Sequence, residues 1–278
     1  MEDGCDRDTE ASGEGLWLIE DEGTAGLTYT HVIYTDSTGL CDETTYFTYE
    51  NAPTVTVHPA SDPDGTGAIR VFLTSQGEDC GVREVEFDLG QEESADWSNP
   101  LETGTSGECD MSDSVLSGTA TDPDGRWLLA FGGDITGTTG SSGGICAFDL
   151  DTSPYTEELA VDPDDVPFSL PSVAADPHVA NVFYFLNVAS DAYEGADAPG
   201  VYWLERRLAI TGGLPGSATA VWSWHQLASD DLEHREPLDV EWGADAETSE
   251  AAGADPLTMT QLYVATAGGG PWVGTLTW

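Results

Sequence analysis

The strongest constraint on the fold of this chain is a short turn sequence that recurs at nearly constant spacing. Asp62-Pro63-Asp64-Gly65 returns as Asp122-Pro123-Asp124-Gly125, and a third version begins at Asp176-Pro177-His178. The intervals between them are 60 and 54 residues. Asp, Pro and Gly are the residues that tight turns favour. A recurrence at this spacing indicates a repeated structural unit.

Each turn lies between two short apolar runs, and two further runs precede the next turn. Apolar and polar residues alternate within the runs, and β-branched and aromatic residues dominate them, as is typical of strands. The pattern predicts four strands, A to D, in each unit. For three complete units these are residues 54–58, 69–75, 82–89 and 97–103; residues 115–120, 127–131, 145–150 and 156–161; and residues 172–175, 182–188, 201–208 and 220–228.

The two ends of the chain fit the same template incompletely. Strands B, C and D of a first unit are predicted at 16–19, 27–35 and 45–50, and strands A, B and C of a last unit at 238–243, 261–267 and 272–278. The prediction is therefore an all-β fold of about five four-stranded antiparallel units in one domain, 14–278, after an acidic N-terminal segment, 1–13. Either the outer units stay three-stranded, or the chain is part of a longer array.

Two stretches resemble the blades of β-propeller repeat proteins of the YVTN, TolB and WD40 type. They are "ATDPDGRWLLAFGGD…GGICAFDL", residues 120–150, and "SDPDGTGAIRVFLTSQ…GVREVEFDL", residues 61–89. The third unit departs from the motif, with Asp-Pro-His-Val at the turn. The resemblance implies a β-propeller, in which blades pack face to face around an axis, and it implies no particular chemistry.

Charge excludes some partners. The chain holds 52 acidic against 7 basic residues, for a formal net charge of −45, and every basic residue is Arg. Such a surface repels nucleic acid, and the even spread of carboxylates favours a folded, salt-adapted surface over a disordered acidic tail. The sequence contains no run of 18 apolar residues, so it predicts no membrane span. The first residues are acidic and do not form a signal peptide, so export would need a signal upstream.

Five cysteines suit an oxidising compartment, which predicts an extracellular, cell-surface or periplasmic location. None has zinc-site spacing, which argues against structural zinc. Cys80, in a B–C loop, and Cys109, in the connection that leaves the same unit, are expected on one side of the sheet, so we predict a Cys80–Cys109 disulfide. A second bridge, Cys5–Cys41, is predicted at the N-terminal end. Cys146 alternates with apolar residues of a C strand and is predicted to be a buried free thiol.

Acidic loops offer the main candidate site. The candidates for holding Ca²⁺, the one cofactor that the sequence suggests, are Asp134, Asp191, Glu194 and Asp197. Clustered carboxylates suit this hard cation or a basic partner. The competing interpretation is a solvated acidic rim, because the charge is high everywhere in the chain. The Asp-Pro-Asp-Gly stretches lack the carboxylate spacing of a calcium loop and are interpreted as turns.

Other motifs favour structural roles. Gly140-Ser141-Ser142-Gly143-Gly144 matches a hydrolase pattern by letter, but no helix is expected after it, so we interpret it as a loop. The five histidines are dispersed. Six of the nine tryptophans lie in the last third of the chain, where they could stack on sugars but are more simply explained as core residues.

Two classes of function remain open. The first is a non-enzymatic extracellular or surface propeller that serves binding, adhesion or assembly, with an unknown protein or glycan partner. The alternative is a metal-dependent lactonase- or lyase-like propeller enzyme. A set of polar side chains that converge where the A strands meet would distinguish the enzyme from the binding module. The A strands offer His58, Asp239 and Glu241 for such a set.

Overall fold

The computed structural model describes the strands of the chain and several of their connections. The described residues are 17–21, 26–31, 54–61, 68–75, 81–88, 96–97, 109, 115–133, 143–161, 172–187, 200–210, 218–228, 236–243, 259–267 and 272–277. This part of the chain is all-β, and it contains no helix that is long and apolar enough to cross a membrane.

Seventeen strands are present within these residues. They are β1 (Trp17–Asp21), β2 (Leu27–His31), β3 (Val55–Val57), β4 (Ala68–Ser75), β5 (Gly81–Asp88), β6 (Asp96–Trp97), β7 (Val115–Thr121), β8 (Trp127–Gly133), β9 (Gly143–Asp149), β10 (Thr156–Val161), β11 (Val173–Ala175), β12 (Val182–Asn187), β13 (Gly200–Ile210), β14 (Ala218–Ala228), β15 (Glu236–Gly243), β16 (Met259–Ala267) and β17 (Trp272–Thr277).

The strands form five antiparallel sheets, and each sheet is continuous in sequence. Strands β3–β6, β7–β10 and β11–β14 make three four-stranded meanders, here the second, third and fourth sheets. Strands β1 and β2 form the first sheet, and β15–β17 form a three-stranded fifth sheet. The predicted four-stranded units are confirmed. The D strand predicted at 45–50 lies outside the described residues, as does most of the one predicted at 97–103.

Strand β8 illustrates why both faces of an inner sheet are buried. Trp127, Leu129 and Phe131 belong to an apolar cluster shared with the fourth sheet, whereas Leu128 and Ala130 belong to a cluster shared with the second sheet. Successive side chains of a strand point to opposite faces, so this uninterrupted apolar run fills two interfaces at once. Each large side chain buried in this way contributes about 1.5–3 kcal/mol to folding.

From the second sheet to the fifth, sheets that are adjacent in the sequence pack against each other. One apolar cluster joins the second and third sheets, another joins the third and fourth, and a smaller one joins the fourth and fifth. The first strands of successive sheets also adjoin, in the order β3, β7, β11 and β15. Between β3 and β7, the Thr56 hydroxyl donates to the carbonyl of Thr119 at 2.7 Å and accepts from the Thr119 hydroxyl at 2.8 Å.

Candidate functional site

The acidic loop candidates cannot be placed. Asp134, Asp191, Glu194 and Asp197 lie outside the described residues, so a calcium site among them stays a prediction. The candidates at the A strands divide in the same way: His58 is described in full, whereas only the backbone of Asp239 and Glu241 is described, within β15. Several of the described polar groups lie between the sheets.

The turn from Asp122 to Gly125 joins β7 to β8 and is held by its first residue. The backbone N–H of Gly125 donates to the carbonyl of Asp122 at 2.9 Å, and the N–H of Trp127 donates to the Asp122 carboxylate at 2.8 Å. Turn chemistry therefore accounts for this copy of the Asp-Pro-Asp-Gly repeat. The other copy, at residues 62–65, lies outside the described residues.

The Asp122 carboxylate also reaches the next sheet. Its second oxygen accepts a hydrogen bond from the backbone N–H of Asn181, in the turn between β11 and β12, at 3.3 Å. Burial raises the pKa of Asp122 above its usual value, and the backbone hydrogen bonds from Trp127 and Asn181 oppose that rise. In the third repeat, the corresponding residue is the buried Asp176. Its carboxylate likewise accepts hydrogen bonds from the backbone N–H groups of His178 and Val179 and from the Tyr184 hydroxyl.

His58 connects the second sheet to the turn of the third. Its Nε2 lies 2.8 Å from the carbonyl oxygen of Gly125, and its Nδ1 accepts from the backbone N–H of Ala60 at 3.1 Å. These partners fix the tautomer, with the proton on Nε2. Both ring nitrogens are engaged with the protein, so His58 stabilises the contact between turns and is not available as a metal ligand.

Two further polar clusters bridge neighbouring sheets. Arg70 and Glu84, on the second sheet, form an ion pair, and both bond to the hydroxyl of Tyr155, which follows β9 in the third sheet. Burial, with the Glu84 hydrogen bond and charge as lesser causes, raises the pKa of Tyr155 to about 12. The phenol therefore stays protonated and donates to Glu84, a bond of 2.8 Å.

The second cluster joins the third and fourth sheets. Arg206 donates to both carboxylate oxygens of Glu158, at 2.8 and 2.7 Å, and its guanidinium lies 4.4 Å from the ring centroid of Trp127. The indole N–H of Trp222 donates to the same carboxylate at 2.9 Å. A bidentate pair stacked on an aromatic ring is a geometry that Arg provides and Lys does not.

The disulfide prediction needs correction. The structure bridges Cys109 to Cys146, with a Cα–Cα distance of 6.1 Å, so the predicted Cys80–Cys109 bridge and the free thiol at Cys146 are wrong. Cys146 does point inward with Phe148 and Leu150, as expected, but this face packs on the second sheet, and Cys109 enters the same interface. The remaining cysteines, Cys5, Cys41 and Cys80, lie outside the described residues.

Glu157 completes an unusual group beside the bridge. It lies opposite Phe148 in the β9–β10 register, so its side chain shares the inward face with Cys146. The sulfurs of Cys109 and Cys146 and a carboxylate oxygen of Glu157 all lie within 4.8 Å of one another, and all three residues are buried. Sequence spacing does not reveal this group, because Cys109 is 37 residues from its partner.

The remaining motifs can be assigned in part. Gly143 and Gly144 of the serine-containing motif begin β9, a strand, and residues 140–142 lie outside the described residues. Trp222 and Trp224 pack against the apolar cluster between the third and fourth sheets, which confirms a core role for these two tryptophans.

Comparison with known proteins adds no assignment. No family model matches the chain, and no curated protein shows significant similarity to it.

Proposed function

We propose that the five sheets are blades of a β-propeller and that the chain is a non-enzymatic binding, adhesion or assembly module exposed outside the cytoplasm. Support for the arrangement comes from the sequential four-stranded meanders and the adjoining first strands β3, β7, β11 and β15. In a propeller these first strands surround the axis and the sheets radiate from it.

The position of the described polar clusters is the observation that supports this function. Each of the groups around His58, Asp122, Tyr155 and Glu158 ties one sheet to the next. These side chains are committed to holding a stiff body together. Recognition is then left to the connections between strands, which is where a rigid scaffold usually carries its binding residues.

The acidic connections suggest the class of partner. The stretch 191–197 alone contains Asp191, Glu194 and Asp197, and the chain carries a formal net charge of −45. Such a surface favours a basic protein, or a glycan held through bound calcium, and it disfavours nucleic acid. The Cys109–Cys146 bridge supports an oxidising location, because disulfides persist outside the cytosol.

A distance measurement tests the ring. Tyr29 in the first sheet and Val273 in the fifth are both exposed. Spin labels on Tyr29→Cys and Val273→Cys, in a chain whose Cys5, Cys41 and Cys80 are Ala, should be less than about 25 Å apart if the first and last sheets are neighbours. Sheets pack about 10 Å apart, so an open stack of five would separate the labels by about 40 Å. That longer distance would contradict the propeller.

A binding assay tests the function. Basic peptides and a glycan array, probed with and without Ca²⁺, should give saturable binding that the triple variant Asp191→Asn, Glu194→Gln, Asp197→Asn loses while its melting temperature stays the same. The control is Glu86→Gln with Asp88→Asn, two exposed carboxylates of β5, which should bind normally. Calcium-dependent turnover of lactones or sugar acids, abolished by the triple variant, would instead establish the enzyme alternative.

A further inference from the structure

A mixed sulfur and carboxylate cluster lies in the interface between the second and third sheets. Cys109, Cys146 and Glu157 form this buried trio. We propose that the trio is a metal site with two exclusive states: a disulfide when it is oxidised, and a site for one zinc-type divalent cation when the bridge is reduced.

The three residues reach one point from separate segments of the chain. Cys109 lies in the connection that leads from the second sheet to the third, Cys146 lies on β9, and Glu157 lies on β10. Two adjacent strands and the buried Cys109 thus present three ligand atoms within 4.8 Å of one another. The fold itself therefore assembles the ligands.

The spacing suits a tetrahedral ion after a small movement. Zinc binds thiolate sulfur at about 2.3 Å and carboxylate oxygen at about 2.0–2.2 Å, so two sulfurs on one tetrahedral ion lie about 3.8 Å apart. The Cα atoms of Cys109 and Cys146 are 6.1 Å apart. Once the bridge is broken, rotation of the two side chains about their Cα–Cβ bonds is the movement that would separate the sulfurs to this distance.

The surroundings explain why a cation is the matching ligand. The trio borders an apolar cluster that includes Phe72, Leu128 and Phe148. A buried carboxylate is stabilised when a cation binds it directly. Two thiolates and one carboxylate bring three negative charges to a divalent ion. Thiolate ligands select zinc and similar soft ions over calcium and magnesium.

The chemistry balances with an external reductant. Two external thiols, which become a disulfide, or one phosphine with water, which become a phosphine oxide, supply the two electrons that break the S–S bond and the two protons that complete the thiols of Cys109 and Cys146. The divalent ion then displaces both protons, binds the two thiolates and the Glu157 carboxylate, and takes its fourth ligand from water. Re-oxidation by an external disulfide, which accepts the two electrons and becomes two thiols, requires the ion to leave. The trio would thus report the redox state of its surroundings as metal bound or released.

The test uses the full chain with Cys5, Cys41 and Cys80 replaced by Ala, so that only the trio offers sulfur. After reduction with a phosphine, Cd²⁺ should give a thiolate charge-transfer absorption that saturates at one ion per chain, and Zn²⁺ should compete for the same site. The oxidised protein should give no such band. Because Glu157 would bind the ion directly, Glu157→Gln should weaken binding by at least the roughly tenfold that is lost when a ligand's hydrogen-bonding partner is removed.

The control is Glu86→Gln, which removes an exposed carboxylate of β5 and should leave the titration unchanged. If reduction unfolds the chain, Zn²⁺ should restore a cooperative melting transition and EDTA should abolish it. No saturable band in the reduced protein, or no refolding by Zn²⁺, would overturn the site. If Glu157→Gln leaves the titration unchanged, the carboxylate is not a ligand of the site, and the proposal in this form is overturned.

Discussion

Gly125 shows how a single residue serves two sheets. Its backbone has a φ of +71°, and a Cβ built there would lie 2.5 Å from Cε1 and 2.6 Å from Nε2 of His58. Glycine is required both by the turn and by the ring that packs on it from the second sheet. The same ring bonds the Gly125 carbonyl, so conformation, packing and hydrogen bonding depend on one another at this position.

Gly125→Ala should therefore destabilise the protein by about 2–4 kcal/mol, because it combines left-handed strain with displacement of His58 and loss of its hydrogen bond. Gly26→Ala is the matched control, since Gly26 has a φ of +101° but nothing within 4 Å of its Cβ position. Denaturant unfolding of both variants separates strain from crowding. Equal losses of stability in the two variants would show that the contact with His58 adds nothing to the cost of Gly125→Ala.

Asp122 supports a prediction about pH. Because burial raises its pKa in the folded state, folded protein binds this proton more tightly than unfolded protein does. The contribution of Asp122 to stability is therefore most favourable below the unfolded pKa and is lost as the pH rises through the higher folded pKa. Asp122→Asn should therefore gain stability relative to wild type as the pH rises from acidic to neutral. Urea unfolding of both proteins across that range measures the difference in their free energies of unfolding. If Asp122→Asn lost stability relative to wild type as the pH rises, the raised pKa of Asp122 would be contradicted.

For the strands, the local sequence determines much of where each one begins and ends. Alternation and turn residues were sufficient to place β7 to β10, because strand periodicity and turn chemistry depend on near neighbours. They were not sufficient for contacts between sheets. His58 meets Gly125, and Glu158 meets Arg206, across 67 and 48 residues. Such pairs depend on which face of one sheet meets which face of the next, and periodicity does not contain that information.

The disulfide illustrates the same limit and yields a test of its own. Alternation correctly placed Cys146 inward on β9, yet the partner depended on the path of the connection that carries Cys109. Closing a loop of this length should stabilise the folded protein by about 4 kcal/mol on the chain-entropy model. With EDTA present, Cys109→Ala with Cys146→Ala should lose that amount in urea unfolding, as should reduced wild type. A reductant that leaves wild-type stability unchanged would argue against the bridge.

On the scale of the whole molecule, the scarce cations are concentrated at contacts that hold the fold together. All seven basic residues are Arg, against 52 acidic residues. Four of the described arginines form ion pairs: Arg70, Arg126, Arg206 and Arg207. Arg206 pairs across two sheets, whereas Arg70 pairs within the second sheet, where Tyr155 of the third sheet bonds to both partners; each Arg side chain is about one fifth exposed. These partly buried arginines are thus paired with carboxylates, whereas most of the 52 acidic residues have no cation to pair with, because the chain has only seven arginines.

This division predicts how salt acts on the fold. Repulsion among exposed carboxylates is screened as the Debye length falls from about 10 Å at 0.1 M to about 3 Å at 1 M, whereas half-buried pairs such as Arg206–Glu158 are screened far less. The melting temperature should therefore rise steadily with NaCl between about 0.05 and 2 M. Calcium at millimolar concentration, compared with NaCl at equal ionic strength, separates general screening from specific binding. An extra rise with Ca²⁺ that disappears in the Asp191→Asn, Glu194→Gln, Asp197→Asn variant would locate a site in that loop. A melting temperature that salt leaves unchanged would mean that the surface charge does not limit stability.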